Sequence, residues 1–192
     1  QNFERDIDPE SIGFDAAVEF SPDGWEMGRR LYNTQVHRAL IKMGLLPEFL
    51  ENSGVFSYRA MTHGKMKRAE PPFTRFHCVS PSWDNSARRS KNARVLVDST
   101  PELYENWLLH TAQRTIKEQP SNKQILFINA WNEWAEGAHL EPDQKWGLAY
   151  LEATQRALSN IDKEHSVHNP GPSSKAQRLY WDFRSRLNQW KV

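Results

Sequence analysis

Only one cysteine, Cys78, occurs in 192 residues, which excludes an internal disulfide framework and a cysteine-rich metal site. An excess of charge of either sign is also missing. Lys plus Arg number 25 and Asp plus Glu 24, a net charge of +1. That balance gives no electrostatic case for nucleic acid or a membrane surface as partner. No apolar run approaches the length of a membrane span, and no signal-peptide pattern opens the chain. The opening QNFERDIDPES lacks a methionine, so the missing leader carries little weight. There is no solenoid-type repeat, no GxGxxG, no P-loop and no GxSxG. No cofactor is expected. What the chain has in excess is tryptophan, eight in all, divided between core packing and surface on which ligand rings can stack.

The order of elements is legible from periodicity and turn chemistry. Residues 13–20 (GFDAAVEF) read as a strand stopped by Ser21-Pro22-Asp23-Gly24. A helix is predicted over 29–43, with Gly44, Pro47 and Gly54 breaking up the segment after it, and another over 58–68, before Pro71-Pro72. TRFHCV (74–79) is the next strand and leads into the polar, aromatic loop Ser80-Pro81-Ser82-Trp83-Asp84-Asn85. Thr100 is a good N-cap, Pro101 fits the first helical position, and Leu103, Trp107, Leu108, Ala112 and Ile116 come next at helical spacing. Residues 124–130 form a third strand and 146–158 a further helix. Strand alternating with helix three times implies parallel βαβ units, an α/β fold. Residues 1–161 are expected to form this domain, 162–175 (DKEHSVHNPGPSSK) a linker, and 176–192 an amphipathic helix with the stripe Ala176, Leu179, Tyr180, Phe183, Leu187 and Trp190. Three βα units neither close a barrel nor make a good sheet alone. Either 21–73 holds further strands or the chain is part of a larger fold, and the second reading is preferred.

The stretch ILFINAWNEWAEGAHLEPD (125–143) is the most informative about function. Its apolar start is short enough for a buried strand. It runs straight into Asn129, Trp131, Asn132, Glu133, Trp134 and Glu136, and breaks at Gly137. The end of a parallel strand is where α/β folds place chemistry. Alone, E-x-x-E is most simply a solvated helix face. Here it comes directly after a strand, encloses a tryptophan and is stopped by glycine. Held on a turn in a partly dry cleft, two nearby carboxylates cannot both ionise freely, so one is expected to hold its proton. Such a pair with aromatic platforms is suited to glycosidic-bond chemistry.

Trp83, Asp84, Asn85 and Arg88 form a second constellation, also just after a strand; the blander reading is an Asx-turn with an exposed arginine. Glu19 ends the first strand and is a candidate for the same cleft, although strand-end acids often only cap a turn. His77 and Cys78 are expected to be packed rather than reactive. His139, Glu141 and Asp143 match no common metal-ligand spacing, so no metal is expected. Arg88, Arg89, Lys91 and Arg94 make a basic run: by default a solvated loop, alternatively a contact to an anionic glycan or sugar phosphate.

FINAWNEWAEGAHLEPD followed by WGLAYLEAT closely resembles the C-terminal signature of the WbsX-type polysaccharide-biosynthesis family, related to glycoside hydrolase family 99, the endo-α-mannosidases and endo-α-mannanases. GFDAAVEF and PSWDNSARR resemble two further blocks in the same order, and the match covers roughly residues 13–158. The resemblance implies a (β/α)8 TIM barrel of which this chain supplies about the last three βα units, with the N-terminal part of the barrel as a missing partner. It also implies an oligo- or polysaccharide substrate. In the family 99 motif E-W-x-E-G the first glutamate is the base that deprotonates a sugar 2-hydroxyl, and the second is the acid for the leaving group. Carried over, Glu133 is the base and Glu136 the acid. Trp83, Asp84, Asn85 and Arg88 are implied to carry the neighbouring substrate loop, and Trp131, Asn132, Trp134 and Glu19 are candidate substrate contacts by their place at the strand ends. The alternatives are a nucleotide-sugar glycosyltransferase of surface-polysaccharide assembly and a non-catalytic glycan-binding module.

Overall fold

In the computed structural model, which describes residues 7–23, 27–89 and 91–168, strands and helices alternate along the chain. The elements are β1 (Ala17–Val18), α1 (Gln35–Lys42), α2 (Phe49–Asn52), β2 (Gly54–Ser57), α3 (Tyr58–Lys67), β3 (Arg75–Val79), β4 (Arg94–Val97), α4 (Pro101–Glu118), β5 (Leu126–Ile128), β6 (Asn132–Glu133), β7 (Ala138–His139) and α5 (Ala149–His168). A three-stranded parallel sheet has the order β1-β3-β5, and β2 pairs with β4 in a second parallel sheet. The fold is mixed α/β. Among the described residues, no helix is long and apolar enough to cross a membrane.

The expected strands are present in shortened form. Residues 13–16 do not pair, because a single turn of 3-10 helix at Pro9–Ile12 ends on Gly13 at φ 85°. Only Ala17 and Glu19 reach β3, donating to the carbonyls of Thr74 and Phe76. The helix expected over 29–43 begins later, at Gln35. Tyr32 has φ 54°, Leu31 donates to the Val55 carbonyl, and Thr34 caps the helix through the His37 N–H. Residues 21–73 do contain a further strand, β2, but it pairs with β4 and stays outside the β1-β3-β5 sheet. Helix α5 runs to His168, into the segment expected to be a linker; Asp162–His168 contain neither glycine nor proline, and Pro170 comes only after them. Residues 169–175 and the expected helix over 176–192 lie outside the described residues.

Strand alternation explains where the core sits. The register places Glu19, Arg75, His77, Val79, Leu126 and Ile128 on one face of the sheet and Val18, Phe76 and Phe127 on the other. Helices α3 and α4 cover the first face. There Tyr58, Met61, Val79, Tyr104, Trp107 and Leu108 are fully buried or nearly so. Burying a side chain such as Leu108 contributes roughly 1.5–3 kcal/mol. Helix α5 lies against α4 through Ala153 and Ala157, both wholly buried, and Tyr104 shares a 3.1 Å hydrogen bond with Thr154. On the second face Val18 and Phe127 are exposed, with Phe76 edge-on to Phe127 at 6.4 Å. Parallel sheets are normally covered on both faces; among the described residues this one is covered on one.

Candidate functional site

Because β3 and β5 are parallel neighbours, their C-terminal ends lie side by side, and the loops that leave them meet. Asn129 donates to the Val79 carbonyl at 2.8 Å, Asp84 N–H to the Glu136 carbonyl at 2.7 Å, and the Ser82 hydroxyl to the Gly137 carbonyl. The loop after β1 joins them: Asn129 Nδ2 donates to the Ser21 carbonyl at 2.7 Å, and Phe20 packs edge-on to Trp83. The segment with the two glutamates is a hairpin, not a helix. β6 and β7 pair antiparallel, with Asn132 opposite His139 and Glu133 opposite Ala138, around a 3-10 turn at Trp134–Glu136. Gly137 ends that turn at φ 57°, and a Cβ there would meet the Asp84 backbone nitrogen at 3.0 Å and its carbonyl oxygen at 3.1 Å. Glycine is required twice over, for the left-handed backbone and for the close approach.

The hairpin presents Trp131, Asn132, Glu133 and Trp134 to solvent, with Trp131 43% and Trp134 48% exposed. Glu133 therefore projects from the rim; the partly dry cleft expected around it is not formed by the described residues. Glu136 is more enclosed, its side chain 14% exposed, and its carboxylate forms an ion pair with Arg88. That contact ties the hairpin to the loop after β3 through a side chain as well as the backbone. Trp134 stacks on His139 at 3.8 Å, and its indole N–H donates to Glu141 at 2.6 Å, so the ring plane is set from both sides. His139 also contacts Asp143 at 3.2 Å. The sequence offered no sign of this orienting role for His139 and Glu141. The hairpin pairing brings His139 back to Trp134.

The second constellation divides. Trp83 is in the core, 5% exposed, where its carbonyl accepts from Leu96 and its ring packs on Phe20, so it offers no stacking surface. Asn85 is buried and ties the loop to β4, its Oδ1 accepting from Arg94 N–H at 2.7 Å. Asp84 makes the Asx-turn, accepting from Ser86 N–H at 2.9 Å. Arg88 pairs its side chain with a hairpin carboxylate.

Glu19 lies elsewhere. It shares its face with His77, under α3, and its carboxylate receives Lys65 Nζ at 2.9 Å, Arg68 Nη1 at 3.0 Å and the Cys78 N–H at 3.3 Å, with His77 Nδ1 at 3.6 Å. Lys65 also reaches Asp23 at 2.8 Å, and Arg75 and Arg114 pair with Glu70. Burial pushes the Glu19 carboxyl up, but the hydrogen bond with His77 and the charges of Lys65 and Arg68 outweigh it and hold the group at about 2. Glu19 is thus part of a buried ionic layer between sheet and helices and is not directed toward the hairpin. His77 is packed there too, whereas the Cys78 side chain, in register with Phe127, is buried on the other face of the sheet, and burial pushes its thiol up to about 11.

WxcX of Xanthomonas campestris pv. campestris strain B100 is 40% identical over 188 residues, which is 97% of this chain and 26% of WxcX. WxcX of strain ATCC 33913 matches at the same identity and coverage. The chain thus spans about a quarter of the length of these relatives. No solved structure matches it significantly. The family described as Glycosyltransferase WbsX matches over residues 1–154, and the chain belongs to that family.

Proposed function

We propose that the chain is part of a carbohydrate-active enzyme of bacterial surface-polysaccharide metabolism, cleaving or transferring α-linked, mannose-type glycans. Glu133 acts as the base toward the sugar 2-hydroxyl and Glu136 as the proton donor to the leaving group. One observation carries this reading: the E-W-x-E-G hairpin leaves the C-terminal end of a parallel strand and is bonded to the loop leaving the neighbouring strand, with two tryptophans exposed beside the carboxylates. Exposed tryptophan faces are suited to sugar rings, and the partner of Glu136 is a single, half-exposed arginine. We place the β1-β3-β5 sheet in a (β/α)8 barrel. The strands are parallel and in sequence order, helices cover one face, and the other face is apolar and open. On this reading the remaining strands of the barrel cover that face and wall in Glu133.

The test is release of reducing sugar from α-mannan, with Glu133→Gln and Glu136→Gln each expected to lower the rate roughly 100- to 10,000-fold, the range for general acid–base groups. Turnover that survives both substitutions together sinks the assignment. The family description favours a second reading, transfer from an activated sugar donor. Donor-dependent transfer without hydrolysis would select it.

A further inference from the structure

Asn85 ties a knot beside the hairpin. Its carbonyl accepts from the N–H groups of Arg88 at 3.1 Å and Arg89 at 3.0 Å, its Oδ1 from Arg94 N–H at 2.7 Å, and its own N–H donates to the Arg94 carbonyl at 3.3 Å. A buried asparagine thus gathers three exposed arginines next to Asp84, the residue whose N–H holds the Glu136 carbonyl. Lys91 is exposed on the same loop. Among the described residues, Arg88 has a carboxylate partner, Glu136, while Arg89, Lys91 and Arg94 have none. The loop therefore carries four cations, of which Arg88 reaches the hairpin that bears Trp131 and Trp134 and has a carboxylate partner there. Within the one ion pair, Arg88 is 53% exposed and Glu136 14%. The cation is the partner able to turn outward; the carboxylate is held.

We propose that this knot recognises a negatively charged substituent on the sugar, a uronate carboxylate or a phosphate ester, with Arg88 as its movable contact. The proposal rests on the glycan reading of the hairpin and names its substrate class. Guanidinium groups match the geometry of both anions. As Arg88 turns to the substituent, Glu136 loses its counter-charge. The other ionisable groups on this loop and hairpin, or in contact with it, are Asp84, Arg89, Lys91, Arg94, Glu133, His139, Glu141 and Asp143. Arg88 thereby couples recognition of an acidic glycan to the state of Glu136.

The experiment is an NMR titration of the chain at low salt, following the tryptophan indole and arginine side-chain N–H signals. The probes are methyl α-glucoside, methyl α-glucuronide, mannose 6-phosphate and inorganic phosphate. The charged sugars are expected to bind on the order of tenfold tighter than the neutral one, and their relative affinity distinguishes uronate from phosphate. Arg88→Gln is expected to weaken the charged sugars alone. Glu136→Gln frees Arg88 and is expected to tighten them on the order of fivefold, the ratio equivalent to about 1 kcal/mol. A misfolded variant would lose affinity whichever residue was changed, so the opposite signs are diagnostic. Equal affinity for the neutral sugar, inorganic phosphate binding as well as the sugar phosphate, or weakening by Glu136→Gln would overturn the proposal. Charge-selective binding with those signs but no glycan cleavage overturns the catalytic reading alone; cleavage without charge preference overturns this one alone.

Discussion

Replacing Glu19 by glutamine separates a structural role from a substrate-binding one. In the folded chain the carboxyl sits at about 2 against an ordinary value of 4.5. Its folded-state value is depressed, so the stability it contributes is complete above 4.5 and is lost as pH falls from there toward 2. The gap between the two values corresponds to about 3 kcal/mol at pH 7, falling to about 1.5 kcal/mol at pH 3. The amide keeps the shape and can still accept from Cys78 N–H, but it leaves Lys65 and Arg68 without that negative charge. Lys65 has a side chain only 4% exposed and retains Asp23 at 2.8 Å. The expected cost is therefore about 3 kcal/mol, the low end for a buried pair that loses one member. The assay is urea unfolding followed by tryptophan fluorescence at pH 7 and pH 3, at matched protein concentration. With a slope of about 1–3 kcal/mol/M, the midpoint at pH 7 should fall by roughly 1–3 M. The acid-induced loss seen in the parent should be correspondingly smaller in the variant. An unchanged midpoint with an unchanged pH dependence would refute the buried ionic layer, and loss of glycan binding at full stability would return Glu19 to the substrate cleft.

Other outcomes rest on the same contacts. Gly137→Ala forces a side chain into a left-handed turn pressed against Asp84, at a cost of about 1–2 kcal/mol for the backbone alone; a lowered Tm together with reduced glycan cleavage is expected, and a variant that melts and cleaves like the parent would contradict the junction. The open sheet face around Val18 and Phe127 should drive association of the isolated chain, and Phe127→Lys should shift sedimentation toward monomer. A parent that sediments as a monomer and unfolds in one cooperative step would argue against that open face. Cys78, buried with its thiol near 11, should react with a thiol reagent at pH 7 only after denaturation, so rapid labelling of the folded chain would contradict its burial.

Local chemistry made several parts of this protein readable in advance. Thr100 and Pro101 start α4 where capping rules place it, with Thr100 accepting from Leu103 N–H at 3.3 Å. Glycine after E-W-A-E stops that turn because its φ of 57° suits no other residue as well. The short strands β2 and β4 were not readable. Each is four residues long, and each becomes a strand only by pairing with the other. The polar run at 162–168 resembles a linker by composition, yet it contains no residue that must end a helix before Asn169-Pro170.

The alternation of β1, α3, β3, α4, β5 and α5, the glycine-stopped turn with its two glutamates, and the family were legible in the chain, because these depend on residues close together in it. Tertiary structure decided which tryptophans face inward and which outward. It also paired Glu19 with Lys65, 46 residues away, rather than directing it to the rim, and set Arg88 against Glu136 across 48. Burial and ion pairing arise where distant segments meet, and parallel packing of β3 and β5 is what brings those segments together.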